Sequence, residues 1–273
     1  MLDKVSGRVF YPRVEDFGVE DFHTFSREFM NQFGLERTKG LEELIGELFE
    51  SPASPLLAKI VDNSRLPDLN TQERQQLVRF MALQFVRTPG HIFNLQSSMA
   101  KVLDKPEPKR SLRVLGTPSN PDPMRDRSLA AMPVTADALA DVLKRAHLAL
   151  LVAPSGVAAI GDNPVVVQMR YSPPPNLHGM YSVSAPGSDA FLPISPMHIL
   201  YLHTDCNAVA GEIGKTIQTP KEISDDALNY LNALQANNAV RYVVFPKKGH
   251  EAQLVASLSR TQTNYYNFKS AFN

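Results

Sequence analysis

The chain has 273 residues, 43% of them hydrophobic, with 28 Lys plus Arg matched by 28 Asp plus Glu, a formal net charge of zero and one cysteine. A chain of this size can bury a sizeable core in one large or two modest domains. The balanced charge excludes a broad nucleic-acid-binding surface and leaves little attraction to an anionic membrane, while Cys206 alone excludes an intramolecular disulfide framework. No apolar run approaches the roughly 20 residues of a membrane helix. Met1–Tyr11 carries Asp3, Lys4 and Arg8 and no signal-peptide stretch, so a cytoplasmic location is expected.

Residues 1–104 have a helical pattern. Phe22, Phe25, Phe29 and Phe33 recur at spacings of three and four, as do Leu41, Leu44, Ile45 and Leu48 in residues 39–50. Pro52 and Pro55 interrupt that pattern before a short helix over 56–62. Thr71 is the expected N-cap of the next helix, which meets no breaker until Pro89-Gly90, and helical spacing resumes over about 91–103.

Charge is uneven: residues 1–70 hold 13 acids and 8 bases, 71–150 hold 7 and 12, and 151–273 hold 8 and 8. The basic surplus gathers around Lys101, Lys105, Lys109, Arg110 and Arg113. With Pro106, Pro108, Pro118, Pro121 and Pro123, it marks 105–133 as a polar connection.

Residues 134–273 read as the α+β part, joined with the first region in one integrated domain. Thr135 is expected to cap a helix to about Arg145. Runs at 148–152, 158–160, 165–169, 190–192 and 198–203 have strand character, and Ser224 with Asp225 and Asp226 opens a helix reaching toward Val240. A last helical or extended segment is expected over about 251–258. The order gives an α+β fold: a helical N-terminal half packed on a small, mostly antiparallel sheet, with C-terminal helices.

Two places carry candidate chemistry. On the helix after Thr71, Gln84 and Arg87 lean toward the apolar stripe, and a buried guanidinium requires an anionic partner. That partner is either a structural carboxylate or a bound anion. Gly161-Asp162-Asn163-Pro164 lies between two strand-like runs; it makes a rigid Asx-type turn or offers Asp162 and Asn163 as a catalytic or ligand pair at a strand end. His198, His203 and Cys206 lie close in sequence, but a strand puts 198 and 203 on opposite faces, so no metal site is assigned. Ser195 has no nucleophile-elbow sequence around it.

The blocks Leu83-Gln84-Phe85-Val86-Arg87-Thr88-Pro89, Ile160-Gly161-Asp162-Asn163-Pro164-Val165 and Phe191-Leu192-Pro193-Ile194-Ser195-Pro196 occur in an order and at a spacing that resemble the bacterial domain of unknown function 4238. Leu231-Asn232-Ala233-Leu234-Gln235 is similar to that family's closing helix, and the likeness spans about residues 40–245. The chain departs from the pattern by lacking a His-Tyr-Val-Pro opening in Met1–Pro12 and by carrying Gly161 where the family has serine. The resemblance implies a shared site of Gln84, Arg87 and Thr88 as ligand-binding residues with Asp162 and Asn163 as catalytic candidates; it supplies no reaction and no cofactor. It sharpens one geometric expectation, that Arg87 pairs with Asp162.

Three functions follow as expectations: a protein whose polar cluster holds a small anion or metal, a non-catalytic interaction or regulatory module in which the cluster is structural, and a hydrolase or nuclease-like defence-associated enzyme. Partners remain open, a second copy of the chain or another protein among them.

Overall fold

The computed structural model describes residues 2–3, 8–9, 40–88, 90–92, 96–97, 123–169, 183, 185–204, 213–239, 242–246 and 268. The expected phenylalanine helix at 19–33, the segment at 251–258, most of the 105–133 connection and Cys206 lie outside them.

Helix α1 (Gly40–Ile45) runs through a π turn (Gly46–Glu50) into α2 (Ser51–Asn63). The proline pair does not separate two helices as its sequence suggests. Pro52 falls in the first turn, where its missing N–H is unneeded, and Pro55 is carried inside the helix by burial of Ala53, Leu56 and Ile60. The buried stripe is Leu41, Ile45 and Phe49, at i, i+4 and i+8, while Leu44 and Leu48 are exposed.

Helix α3 (Thr71–Val86) is capped one residue earlier than expected. Asn70 is the N-cap: its side chain accepts the Glu73 amide at 2.9 Å while the Glu73 carboxylate accepts the Asn70 amide at 3.0 Å, a reciprocal capping box. Helix α4 (Pro123–Leu143) begins well before Thr135 and runs through Pro133, so 123–133 is helix and not connection. Leu129, Met132, Ala136, Leu139 and Leu143 bury a continuous face that offsets the hydrogen bond Pro133 cannot make.

The strands are β1 (Leu2–Asp3), β2 (Arg8–Val9), β3 (His147–Val152), β4 (Ile160–Gly161), β5 (Val166–Met169), β6 (Ser188–Pro193), β7 (His198–His203), β8 (Lys221–Glu222) and β9 (Tyr242–Val244), with α5 (Asp225–Asn238) before the last. The main sheet has the order β5-β6-β7-β3-β8, antiparallel except for the parallel β3–β8 pair. A smaller sheet has the order β2-β1-β9-β4. The fold is α+β, as the element order implied.

Strands β6 and β7 are buried at all six positions and β3 at five of six. Both sheet faces are therefore covered. Leu148, Leu150, Leu192, Leu200 and Leu202 pack with the helices α1–α4 in one core, and Leu151, Phe191, Ile199 and Tyr201 pack with Leu228, Leu231 and Leu234 of α5 and with Phe268 in another. This two-sided burial explains why these strands read as continuous apolar runs with little alternation.

Arg74 ties the layers together. Its guanidinium, 5% exposed, donates to Thr216 Oγ1 at 3.1 Å, Lys144 O at 3.0 Å and Ala146 O at 2.5 Å, and burial lowers its pKa. These acceptors cluster at the C-terminal end of α4, where carbonyls are left over and a cation is favoured. Gly214 reaches the same turn: its amide donates to Lys144 O at 3.0 Å, and a Cβ there would stand 2.0 Å from Ala146 O, so only glycine fits.

Candidate functional site

The Gly161-Asp162-Asn163-Pro164 turn is held by one face of α5. Asn232 accepts the Ala159 amide at 2.8 Å and donates to Val157 O at 3.0 Å; Gln235, three residues on, accepts the Gly161 amide at 3.0 Å and donates to Pro164 O at 2.8 Å. The i, i+3 spacing puts both carboxamides on one side of the helix. Asp162 closes the β4–β9 ladder from both directions, its amide donating to Tyr242 O and its carboxylate accepting the Tyr242 amide, each at 3.0 Å. Asn163 donates to Asn238 O at 3.5 Å, and its own Oδ1 is buried with no hydrogen-bond partner among the described residues.

Arg87 lies elsewhere. It is the C-cap residue of α3, half-buried, and its guanidinium donates to Glu50 at the end of the π turn. Among the described residues its ion pair is thus between helices, whereas the sequence led us to expect Asp162. Thr88 donates to Phe85 O at 3.1 Å and accepts the His91 amide at 3.3 Å, and Gln84 is half-buried on α3.

A second constellation escaped the sequence reading. On the α5 face of the main sheet, Gln168, Asp189, His203 and His147 form a row across β5, β6, β7 and β3, each directly opposite the next. Asp189 is fully buried. Its Oδ1 accepts the Tyr201 hydroxyl at 2.7 Å and meets His203 Nδ1 at 2.7 Å, while Oδ2 accepts Gln168 Nε2 at 2.9 Å. Tyr230 of α5 donates to Gln168 Oε1 at 2.6 Å, and His147 stacks beside His203 at 6.5 Å. Tyr201 and Gln168 both donate to Asp189, and Tyr230 donates in turn to Gln168, so Asp189 is the shared acceptor on which the chain of hydrogen bonds ends. Such a carboxylate fixes the tautomer and orientation of its histidine. Hairpin arithmetic was the available signal: once 188–193 and 198–203 pair about their turn, Asp189 must face His203.

A third constellation joins Ser64, His198 and Ser195. Ser195 Oγ lies 2.7 Å from His198 Nδ1, and His198 Nε2 lies 3.0 Å from Ser64 Oγ. Ser195 Oγ also accepts the Met197 and His198 amides, at 3.2 and 3.1 Å. Both its lone pairs are then occupied, so its proton goes to Nδ1 and the imidazole proton resides on Nε2, donating to Ser64. Burial lowers the His198 pKa and keeps this neutral form. A base activating Ser64 would need the opposite tautomer.

An open cleft of about 560 Å³ lies beside Ser64, lined by Lys59, Asn63, Arg65, Leu66, Pro67, Asp68, Gln218, Thr219 and Pro220. Among the described residues no group of three or more His, Cys, Asp or Glu side chains forms a metal cluster, and no helix is long and apolar enough to cross a membrane.

Fold and sites define an α+β protein with a sheet covered on both faces, a turn clamped by α5 and a buried Asp–His–Tyr network. The chain belongs to the family described as Protein of unknown function (DUF4238), whose model matches residues 12–249. No curated protein and no solved structure matches it.

Proposed function

We propose that this chain is a non-catalytic binding or regulatory module in which Arg87 and Asp162 serve the fold. The observation that supports this most directly is how the two side chains are bonded: Arg87 joins two helices through Glu50, and Asp162 joins two strand ends through Tyr242. A catalytic carboxylate and its anion-binding arginine would need to converge on one cavity. The proton direction at His198 adds to this, since the imidazole donates to Ser64. The reading includes a cytoplasmic setting, in keeping with a single cysteine.

The test is a turnover screen of the purified chain against phosphomonoesters, phosphodiesters, carboxylic esters and nucleic acid, with and without divalent metal. No sustained turnover is expected, and Arg87→Ala and Asp162→Asn should each lower the melting temperature. Turnover abolished by Asp162→Asn or His198→Ala at an unchanged melting temperature would overturn the proposal in favour of a hydrolase or nuclease-like enzyme.

A further inference from the structure

We infer that the cleft between the α2–α3 loop and residues 218–220 binds a small phosphate monoester of sugar or nucleoside size. Its two walls come from distant parts of the chain and are fixed to each other: Gln218 Nε2 donates to Asp68 Oδ1 at 3.0 Å. Pro67 and Pro220 stiffen the rims, and Leu66, 1% exposed, anchors the loop in the core. A cleft that is built this way before any ligand arrives has little ordering entropy to lose on binding.

The charges select an anion. Lys59 and Arg65 line the cleft, and among the described residues neither makes an ion pair; the one carboxylate present, Asp68, is engaged by Gln218. A lysine supplies a compact point charge and an arginine a planar fork, a combination suited to the several oxygens of one phosphate. Asn63, Gln218 and Thr219 add neutral donors and acceptors of the kind that read hydroxyl groups.

Ser64, between Asn63 and Arg65, strengthens the case. It caps α2 in the left-handed region, at φ 49° and ψ 33°, where glycine or asparagine is usual. Its oxygen lies 3.0 Å from His198 Nε2, which fixes the turn that presents its neighbours Asn63 and Arg65 to the cleft. The volume, about 560 Å³, suits a sugar phosphate or nucleoside monophosphate, and the zero net charge of the chain argues against a long polyanion.

Titration calorimetry on the full chain at low ionic strength tests this, with inorganic phosphate, ribose 5-phosphate and adenosine monophosphate as probes and ribose and adenosine as unphosphorylated controls. One or both esters should bind and the controls should not. Lys59→Gln and Arg65→Gln should each weaken binding about tenfold, the worth of one charge-assisted hydrogen bond, with the ligand-free melting temperature unchanged because both side chains are exposed. Absence of binding by every phosphorylated probe, equal binding of ribose and its phosphate, or undiminished binding in the double variant would each overturn the site. The inference rests on the non-catalytic reading only in taking the ester to be held and not converted. Phosphate release from a bound ester would overturn that reading while supporting the site.

Discussion

The Gly161 amide donates to Gln235 Oε1 at 3.0 Å, and the same carboxamide donates onward to Pro164 O at 2.8 Å. One side chain of α5 thereby satisfies both ends of a turn that neither strand ladder could satisfy. The Gly-Asp-Asn-Pro block and the Leu-Asn-Ala-Leu-Gln block are therefore one structural unit, a turn and its clamp.

Gly161 is sterically required in this unit. A Cβ would stand 2.9 Å from Ala239 Cβ and 3.2 Å from Gln235 O. Gly161→Ser should destabilise the chain by about 1–3 kcal/mol through overpacking. Adding Ala239→Gly should recover part of that loss, giving a non-additive double-mutant cycle in urea unfolding. Strict additivity would show that the two positions do not share the contact.

How much of this was legible in the sequence depended on whether the signal was local. The Ser224 cap of α5, the β7 span and the mixed helix–sheet order could be read because capping and apolar runs are properties of neighbouring residues. Helix α4 was misplaced because Pro133 and the prolines before it suggested a loop, and the burial of Leu129 and Met132 that overrides them is tertiary. Asp162 was identified as a turn residue, but its partner, the Tyr242 backbone, is 80 residues away. For Arg87 the need for an anion was correct and the identity of the anion was not, since Glu50 was hidden in an acidic stretch of similar candidates.

The Asp189 network predicts a graded series. Asp189→Leu removes the acceptor shared by Tyr201, His203 and Gln168 and should cost about 3–5 kcal/mol, the range for breaking a buried charged network. Asp189→Asn keeps one oxygen and should cost less. Tyr201→Phe removes a single donor to a charged group and should cost about 1.5–3 kcal/mol. Chemical denaturation would measure all three, and equal stability of the leucine variant and the parent would refute the network's role.

Arg74 gives a sharper chemical contrast. Arg74→Lys retains the charge but cannot reach Thr216, Lys144 O and Ala146 O together, so we expect a loss of about 2–3 kcal/mol from carbonyls left unsatisfied in the interior. Thermal unfolding should place Arg74→Lys far below the parent; a lysine variant as stable as arginine would mean that charge alone matters there.

His91 predicts acid sensitivity. Both ring nitrogens are buried with no hydrogen-bond partner among the described residues, and burial lowers its pKa from 6.5 to about 4. The unfolded chain takes up the proton first as pH falls. Stability is therefore complete above about pH 6.5 and is lost progressively toward pH 4, by about 3 kcal/mol from this group. His91→Phe, which can keep the ring contact with Phe85 at 5.8 Å, should flatten this part of the stability profile between pH 7 and 4.5. An unchanged slope in that variant would assign the acid loss to other groups.

The assignment of Arg87 to Glu50 can be separated from its expected pairing with Asp162 by two double-mutant cycles. With side chains 31% and 43% exposed, the Arg87–Glu50 pair is partly screened, and its coupling should be about 0.5–1 kcal/mol and should shrink at high salt. The Arg87→Ala and Asp162→Asn changes act on different elements and should add within about 0.5 kcal/mol. A coupling between Arg87 and Asp162 larger than that between Arg87 and Glu50 would return both residues to a common site and weaken the structural reading of each.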